Sequence, residues 1–198
     1  IYPKKLRSVR DMFRRRMMFV KQRTTQTLSL QSMIARNRGV EQSASAIVRF
    51  RDDFIKQMFD CPHLVSTALH QMETIRFLGK QIEAIESEVE TMVELDSAYR
   101  GLLTIPGVGR ILAMTIMLEV GDIRRFEKVG HYSSYCRCVK AQSLSNGKKK
   151  GNNNRKNGNR YLAWAYVEAA NHNKRTCSQA RKFLERKIAE KNYTVAIK

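Results

Sequence analysis

The sequence has little of what marks a membrane or secreted protein. No apolar run approaches the roughly eighteen residues of a membrane-spanning helix. The opening stretch, IYPKKLRSVRDMFRRR, lacks the apolar core and small-residue cleavage site of a signal peptide. We therefore expect a cytoplasmic protein with no membrane partner. Because the chain starts at Ile1 rather than Met, and stops at Lys198 as another helix begins, we also expect a fragment of a longer protein.

Cysteine is scarce and its spacing fits no known metal or redox motif. The four cysteines are Cys61, Cys136, Cys138 and Cys177. A C-x-C pair replaces the C-x-x-C of zinc and thioredoxin-like sites, and His63 and His131 are the nearby imidazoles. Ordinary cysteine usage in a cytosolic protein favours reduced thiols over a zinc site.

Acidic residues are also scarce. The 198-residue chain has 18 Asp and Glu against 37 Lys and Arg, a net charge of +19. No acidic residue occurs from Lys128 to Val167, whereas eight Lys and Arg lie from Arg137 to Arg160. Such a charge repels itself in a compact fold unless a polyanion binds, so nucleic acid is the leading partner and a membrane surface the weaker one. An apolar fraction of 42% excludes a disordered tail and allows one or two domains.

Apolar residues recur every three or four positions along most of the chain, which predicts a mainly α fold. The first helix is predicted to run from Pro3 to about Asn37. Its polar face includes Arg14, Arg15 and Arg16, and so one-sided a charge favours phosphate contact over a merely solvated face. A second helix is predicted from Glu41 to about Phe59, because Cys61 precedes a proline.

A coiled-coil seam is predicted from Leu64 to Met92, where apolar residues alternate in threes and fours over four heptads. A helix of roughly thirty residues is too long for a small domain to cover. The seam must therefore meet either the N-terminal helix folded back on it or a second protomer, and we expect a homo-oligomer formed through the coiled coil. On this basis residues 1–98 form a helical coiled-coil region and residues 99–198 a C-terminal domain.

The stretch LLTIPGVGR predicts two short helices joined by a tight turn, a helix–hairpin–helix. Pro106 sets φ in the turn, and Gly107 and Gly109 can both take positive φ without steric cost. Backbone N–H groups of the turn would then face outward and bind a phosphate. The following helix, Arg110 to Val120, is almost continuously apolar and is predicted to be buried.

A basic loop is predicted from Lys140 to Asn157, mobile unless a partner orders it, because its Gly, Asn and Lys cannot form a core. Asn159 is predicted to cap the next helix, and a last helix follows from about Cys177 to Glu190. The candidate nucleic-acid contacts here are Lys148, Lys149, Lys150, Arg155, Lys156 and Arg160. For Arg155 and Arg160, non-specific backbone contact and a catalytic role are both open.

Several short motifs in this order resemble the C-terminal domain of insertion sequence 110 family transposases, also called the 116/110/902 family. The motifs are IPGVG, an apolar helix, EVGDIRRF, an S-x-G-K loop and K-x-G-N-R-Y-L. The stretch from Leu6 through RMMFVKQRTT is similar to the region that follows the catalytic acidic domain in that family. The resemblance implies DNA transposition by a bridge-RNA-guided serine recombinase, with DNA and a guide RNA as partners.

The resemblance also implies a division of the chemistry between two domains. An N-terminal RNase H-like domain carries four acidic residues that bind magnesium, and a serine in the C-terminal domain attacks DNA. This chain lacks the acidic domain, so we expect no cofactor in the fragment, magnesium in the missing domain, and no activity from the fragment alone.

The family's serine matches Ser145, thirteen residues before Gly158, with Ser143 as the fallback. The sequence departs from the common pattern at Asn146, where Gly is usual, and at Leu144, where a small or polar residue is usual. The residues alone predict only a hydroxyl in a polar loop, since no His or carboxylate is near in sequence to act as base. The alternative function is a non-catalytic helix–hairpin–helix nucleic-acid-binding module. A coiled-coil adaptor is disfavoured by the acid-free stretch.

Overall fold

The structure, a computed structural model, describes residues 2–94, 96–139, 142–152 and 157–190. The helices are α1 (Lys4–Arg38), α2 (Ala44–Ile47), α3 (Asp52–Met58), α4 (Pro62–Val93), α5 (Ser97–Leu103), α6 (Arg110–Val120), α7 (Val129–Tyr135), α8 (Arg160–Thr176) and α9 (Ser178–Glu190). A 3-10 helix covers Ile123–Arg125, and two strands, β1 (Gln142–Ser145) and β2 (Lys148–Asn152), separate α7 from α8. The prediction of a mainly α fold that begins with long helices is confirmed. No helix in the described part of the chain is both long and apolar enough to cross a bilayer.

The chain folds into two compact units, which we describe separately. One comprises residues 11–88, and the other comprises residues 1–10 and 89–198. The sequence predicts a coiled-coil region, 1–98, and a C-terminal domain, 99–198. The two compact units do not test this division by function, so it stays a prediction.

In the unit of residues 11–88, α1 and α4 pack side by side and antiparallel. Gln71 Nε2 donates to Ser29 Oγ at 2.9 Å, and Arg16 Nε donates to Glu86 Oε1 at 2.6 Å. The first pair joins the later part of α1 to the earlier part of α4, and the second pair joins the opposite ends. The two helices therefore run in opposite directions.

The core of this unit contains the predicted seam. Its buried cluster comprises Leu30, Met33 and Ile34 of α1, Ile47, Ile55 and Phe59 of the connecting segment, and Ala68, Met72 and Ile75 of α4. Leu78 and Ile82 are also buried. Helix α1 of the same chain thus covers this part of the seam, which is the first of the two alternatives that the sequence left open. Burial of these side chains removes apolar surface from water and is the main stabilising contribution here.

The seam prediction is wrong at its C-terminal end. Met92 is 56% exposed, whereas Val89 and Val93 are buried. A straight α-helix has 3.6 residues per turn, so a repeat of 3.5 residues gradually rotates away from the buried face. The buried position after Val89 is therefore four residues on, at Val93, and not three residues on, at Met92.

The predicted single helix from Glu41 to Phe59 is interrupted. α2 ends at Ile47 and α3 begins at Asp52, and Arg51, which precedes α3, has an extended backbone. Arg76 Nη2 donates to the carbonyl oxygen of Phe50 at 2.7 Å, and Arg76 Nη1 lies 2.6 Å from Asp52 Oδ1. This tertiary contact to α4 takes up the carbonyl of Phe50 between the two helices, and it could not be inferred from the local sequence.

In the second unit, α6 lies at the centre and packs against α5 and α8, and α9 packs against α8. Every residue of α6 from Leu112 to Val120 is buried, as its apolar sequence predicts. Gly121 ends the helix with φ +66°. The N-terminal segment lies against this end, since the Tyr2 hydroxyl donates to the carbonyl oxygen of Leu118 and a Cβ at Gly121 would be 3.0 Å from Pro3 Cδ.

The loop predicted from Lys140 to Asn157 is a β-hairpin over its described part. β1 and β2 are antiparallel, and the two residues between them, Asn146 and Gly147, have φ values of +50° and +70°. Positive φ at both central residues is the geometry of a two-residue hairpin turn, which Asn-Gly favours strongly. The composition of the segment predicts a loop, whereas the Asn146–Gly147 dipeptide is the local signal for this hairpin.

Candidate nucleic-acid interface

The predicted helix–hairpin–helix turn lies between α5 and α6. Asp96 caps α5, because its Oδ1 accepts from the N–H of Ala98 at 2.7 Å. The N–H of Val108 donates to the carbonyl oxygen of Ile105 at 3.0 Å and closes the turn. Gly107 has φ +88°, as predicted. Gly109, which could also take positive φ, has φ −89° and ψ 179° instead.

The two glycines have different surroundings. A Cβ at Gly107 would collide with the carbonyl oxygen of Ala169 and lie 2.8 Å from the backbone nitrogen of Asn173, so Gly107 permits the close approach of the turn to α8. A Cβ at Gly109 would meet no atom within 4 Å. Gly109 is the N-cap of α6 and its carbonyl accepts from Ala113 at 2.9 Å, which requires an extended backbone at this position. Of the two, Gly109 is therefore the one that a ligand can approach.

A cavity of about 640 Å³ opens at this turn and is lined by residues 103–112 and by His172 of α8. The first N–H groups of a helix carry a partial positive charge and have no partner within the helix, which suits them to an anion. Arg110 borders the same cavity, and its Nη1 lies 2.6 Å from Glu90 Oε2. His172 could not be assigned to this cavity from the sequence, because it lies far along the chain in α8.

Glu90 also binds Tyr99, whose hydroxyl donates to Glu90 Oε1 at 3.1 Å. Burial and the neighbouring Glu90 carboxylate raise the pKa of Tyr99 above its usual value. Together these contacts fix the orientation of Glu90, which holds Arg110 beside the turn.

The hairpin brings two of the predicted site residues together. Ser145 is paired with Lys148 directly across the Asn146–Gly147 turn. Leu144 is paired with Lys149, and Ser143 with Gly151, so the register shifts by one residue at Lys150. The hairpin is described mainly by its backbone, and the side chains of Ser145, Lys149 and Lys150 lie outside the description, whereas Lys148 is exposed. Arg155 and Lys156 lie outside the described residues altogether.

Asn159 connects the start of α8 to the core. Its Oδ1 accepts from the backbone N–H groups of Tyr161 at 2.9 Å and Leu162 at 3.2 Å, so the predicted cap is confirmed. Its Nδ2 donates to the buried Glu119 at 2.6 Å and to the Tyr135 hydroxyl at 3.3 Å. Glu119 was not singled out from the sequence, where it is one charge within an apolar helix.

Arg160 is exposed at the first turn of α8. Its guanidinium lies 5.0 Å from the centre of the Tyr161 ring, and its Nη2 donates to the Tyr161 hydroxyl at 3.1 Å. The aromatic contact orients the guanidinium and leaves most of its other donors directed to solvent.

The three arginines predicted on α1 lie in the unit of residues 11–88 and have unequal surroundings. Arg16 is ion-paired with Glu86, and the two side chains are only 13% and 16% exposed. Arg14 lies 3.9 Å from Asp11, one turn earlier in the same helix. Arg15 is exposed, with its Nη1 3.5 Å from Met18 Sδ. Arg15 is therefore the most accessible to a phosphate, and Arg16 contributes mainly to helix packing.

An aromatic cluster lies beside the hairpin in the sequence and was not predicted. The guanidinium of Arg125 lies 4.4 Å from the centre of the Phe126 ring and 4.7 Å from that of Tyr135. The hydroxyls of Tyr132 and Tyr166 are hydrogen-bonded to each other, and burial raises the pKa of both. The guanidinium and the aromatic rings of this cluster stabilise each other by cation–π and edge-to-face contacts.

Among the cysteines, Cys136 is buried, Cys177 is partly buried, and Cys61 and Cys138 are exposed; all four are free thiols. Burial raises the pKa of the Cys136 thiol to about 11. Within the described residues, no three His, Cys, Asp or Glu side chains lie close enough to hold a metal ion.

These features define a small helical domain in which two helices meet at a glycine-containing turn and a basic hairpin precedes a capped helix. Residues 99–185, which span the turn, the hairpin and α8, match the family described as Transposase IS116/IS110/IS902 family. Over 111 residues the chain is 32% identical to the transposase for insertion sequence element IS1328 from Yersinia enterocolitica. That match covers 55% of this chain and 33% of the relative, so the chain spans about a third of that protein's length. Over part of its length the chain is therefore similar to transposases of insertion sequences.

Proposed function

We propose that the chain is the DNA-binding and nucleophile-bearing part of a transposase that performs site-specific DNA recombination. The match of residues 99–185 to the transposase family carries this proposal. The net charge of +19 supports DNA as the partner, because neutralising phosphates releases counterions.

The proposed DNA contacts fall into two groups. Around the turn, the N–H groups at Gly109 and the start of α6 bind a phosphate, with Gly107 allowing the turn to pack on α8. Around the hairpin, the cations hold the backbone of the strand to be cut; they are Lys148, Lys149, Lys150, Arg155, Lys156 and Arg160. Arg15, which is exposed, adds non-specific contacts, and Arg14, which is partly exposed beside Asp11, adds to them.

In the proposed reaction, the Ser145 hydroxyl attacks a backbone phosphorus of DNA. The Oγ–P bond forms as the P–O bond to one deoxyribose breaks, and the serine proton passes to the leaving deoxyribose oxygen, which becomes a free hydroxyl. The phosphodiester is conserved as a phosphoserine linkage, so the reverse attack by a new strand end rejoins DNA without an added energy source. The cations on and near the hairpin stabilise the charge on the pentacoordinate phosphorus.

The proposal extends to the partners that the family resemblance implies. A guide RNA selects the DNA site, magnesium is bound by acidic residues outside this chain, and the protein acts in the cytoplasm as a homo-oligomer. Because α1 covers the seam from Ala68 to Ile82, a second copy would have to use other surfaces, such as those around the exposed Leu28 and Phe77.

DNA binding by this chain is the first test. A labelled duplex titrated at several salt concentrations should bind with a steep salt dependence and little sequence preference. Lys148→Ala should weaken binding, whereas Lys56→Ala, which removes an equal charge from α3, should weaken it less. A flat salt response, or no binding at low salt, would contradict the proposal.

The nucleophile is tested in a full-length protein that includes the acidic domain. A protein–DNA adduct on a denaturing gel, mapped by mass spectrometry, should be lost in Ser145→Ala and kept in Ser143→Ala, with DNA affinity little changed in both. An adduct that maps to another residue would show that Ser145 is wrongly assigned. Binding without any adduct would favour the alternative, a non-catalytic nucleic-acid-binding module.

A further inference from the structure

The two chain ends that lead into and out of the hairpin segment are bonded to each other. The backbone N–H of Asn159 donates to the carbonyl oxygen of Tyr135 at 2.6 Å. Arg137 Nη2 donates to the carbonyl oxygen of Gly158 at 3.0 Å. The segment 138–157, which contains both strands, therefore leaves and re-enters the helical domain at one place.

Two residues at this place have positive φ, and only one of them is a glycine. Gly158 has φ +87°, and a Cβ there would lie 2.6 Å from the Tyr135 carbonyl oxygen and 3.1 Å from that of Ser134. Arg137 has φ +58°, which is uncommon for a residue with a side chain. Such conformations persist where surrounding contacts hold them, and they cluster at functional sites.

The closure is tied to the buried core through Asn159. This side chain is 6% exposed and bonds to Glu119, which is 3% exposed and lies in the central helix α6. The same side chain caps α8 and contacts the Tyr135 hydroxyl at the end of α7. Three helices thus meet at the base of the hairpin segment.

We infer that Arg137 is a positioning residue that closes the base of the hairpin segment, with Asn159 as its anchor, and so fixes where Ser145 and Lys148 are presented. Closing a loop at its base removes conformational freedom from everything between the two ends. A hairpin of two short strands is marginal alone in water and gains order from such a constraint. The consequence for DNA rests on the proposed function, but the closure itself does not.

Hydrogen exchange of this chain tests the closure. In Arg137→Ala, amides of residues 142–152 should exchange about fivefold faster, as expected for the loss of one hydrogen bond. The exchange of α6 should be unchanged, because the bond that is lost joins Arg137 to Gly158 and not to α6. Arg137→Lys keeps a donor that can reach the Gly158 carbonyl and should restore most of the protection.

Arg124→Ala is the matched control. It removes the same charge from an 88% exposed side chain whose contacts are to the neighbouring Asp122, and it should leave hairpin exchange unchanged. DNA affinity should fall more in Arg137→Ala than in Arg124→Ala. Unchanged hairpin exchange in Arg137→Ala, or an equal rise throughout the domain, would overturn the inference. Absence of DNA binding by the wild type would contradict the proposed function only, since the exchange measurement uses no DNA.

Discussion

Arg16 and Glu86 form an ion pair that joins the two long helices of the N-terminal unit at 2.6 Å. Both side chains are mostly buried, at 13% and 16% exposure, whereas the sequence predicts that Arg16 contacts phosphate. Removing one member would leave the other charge without its partner in a partly desolvated site, which costs more than losing a surface pair. Arg15, the adjacent residue, is exposed and provides an internal comparison.

We therefore predict that substituting these two neighbouring arginines has different effects on stability and on DNA binding. Arg16→Ala should lower the free energy of unfolding by about 1–3 kcal/mol. Arg15→Ala should change it by less than about 0.5 kcal/mol. The same variant should weaken DNA binding, because it removes an exposed cation. Urea unfolding and duplex titration of the two variants measure both quantities. Equal stabilities would mean that the ion pair does not form in solution.

The covered seam leads to a prediction about concentration dependence. Met72 of α4 is fully buried in the cluster that α4 forms with α1. Met72→Ala should lower the free energy of unfolding by about 2–4 kcal/mol. Because the partner helix belongs to the same chain, any dependence of the urea midpoint on protein concentration should be the same in wild type and variant.

The control for Met72 is Phe77→Ala on the same helix. Phe77 is 57% exposed, and its loss should cost less than about 1 kcal/mol. A midpoint that rises with protein concentration in the wild type, and no longer does so in Met72→Ala, would put a second copy at the seam.

The two glycines of the turn give a further prediction. Gly107→Ala should destabilise the domain by at least about 1–2 kcal/mol, because φ is positive and the methyl group would collide with the backbone of α8. Gly109→Ala should change stability by less than about 1 kcal/mol, since φ is negative and the space is open.

DNA binding should separate the same two variants. In Gly109→Ala the methyl group would keep a phosphate from the N–H groups of α6, and affinity should fall by about 1 kcal/mol. Duplex titration at one salt concentration, with thermal melting of the free variants, tests this. Unchanged affinity in Gly109→Ala would show that the turn does not bind phosphate.

Burial of Cys136 predicts a loss of stability at high pH. The pKa of this thiol is raised from 9.0 to about 11, so between these values the unfolded chain releases a proton that the folded chain keeps. Ionisation then favours the unfolded state, and the free energy of unfolding should fall as the pH rises from 9.0 to about 11.

Cys136→Ala should reduce this slope, whereas Cys61→Ala, at an exposed cysteine, should not. The buried tyrosines, whose pKa values are also raised, should maintain some decline at still higher pH. Urea unfolding across the alkaline range measures the slopes. The same slope in wild type and Cys136→Ala would contradict the prediction.

The sequence alone determined the elements whose signals are local. The 3.6-residue periodicity of α1 and α4, the continuous apolar character of α6, and Asn159 before α8 were sufficient for those helices and their caps. Several short motifs in order were sufficient to indicate the family that residues 99–185 match. The Asn146–Gly147 turn was equally local, and the dipeptide would have predicted the hairpin that composition concealed.

The tertiary structure decided which partners those elements meet. Residues distant in sequence decide which helix covers the α4 seam and why Gly107 must be glycine. They also decide why Arg16 differs from Arg15. The pairing of Glu119 with Asn159 and the bond from Arg137 to Gly158 depend on them as well. A sequence pattern determines the spacing of apolar residues along a helix and the sign of the charge on its surface. Burial and hydrogen bonding, however, are properties of two surfaces in contact. They are fixed only when the chain brings the two together.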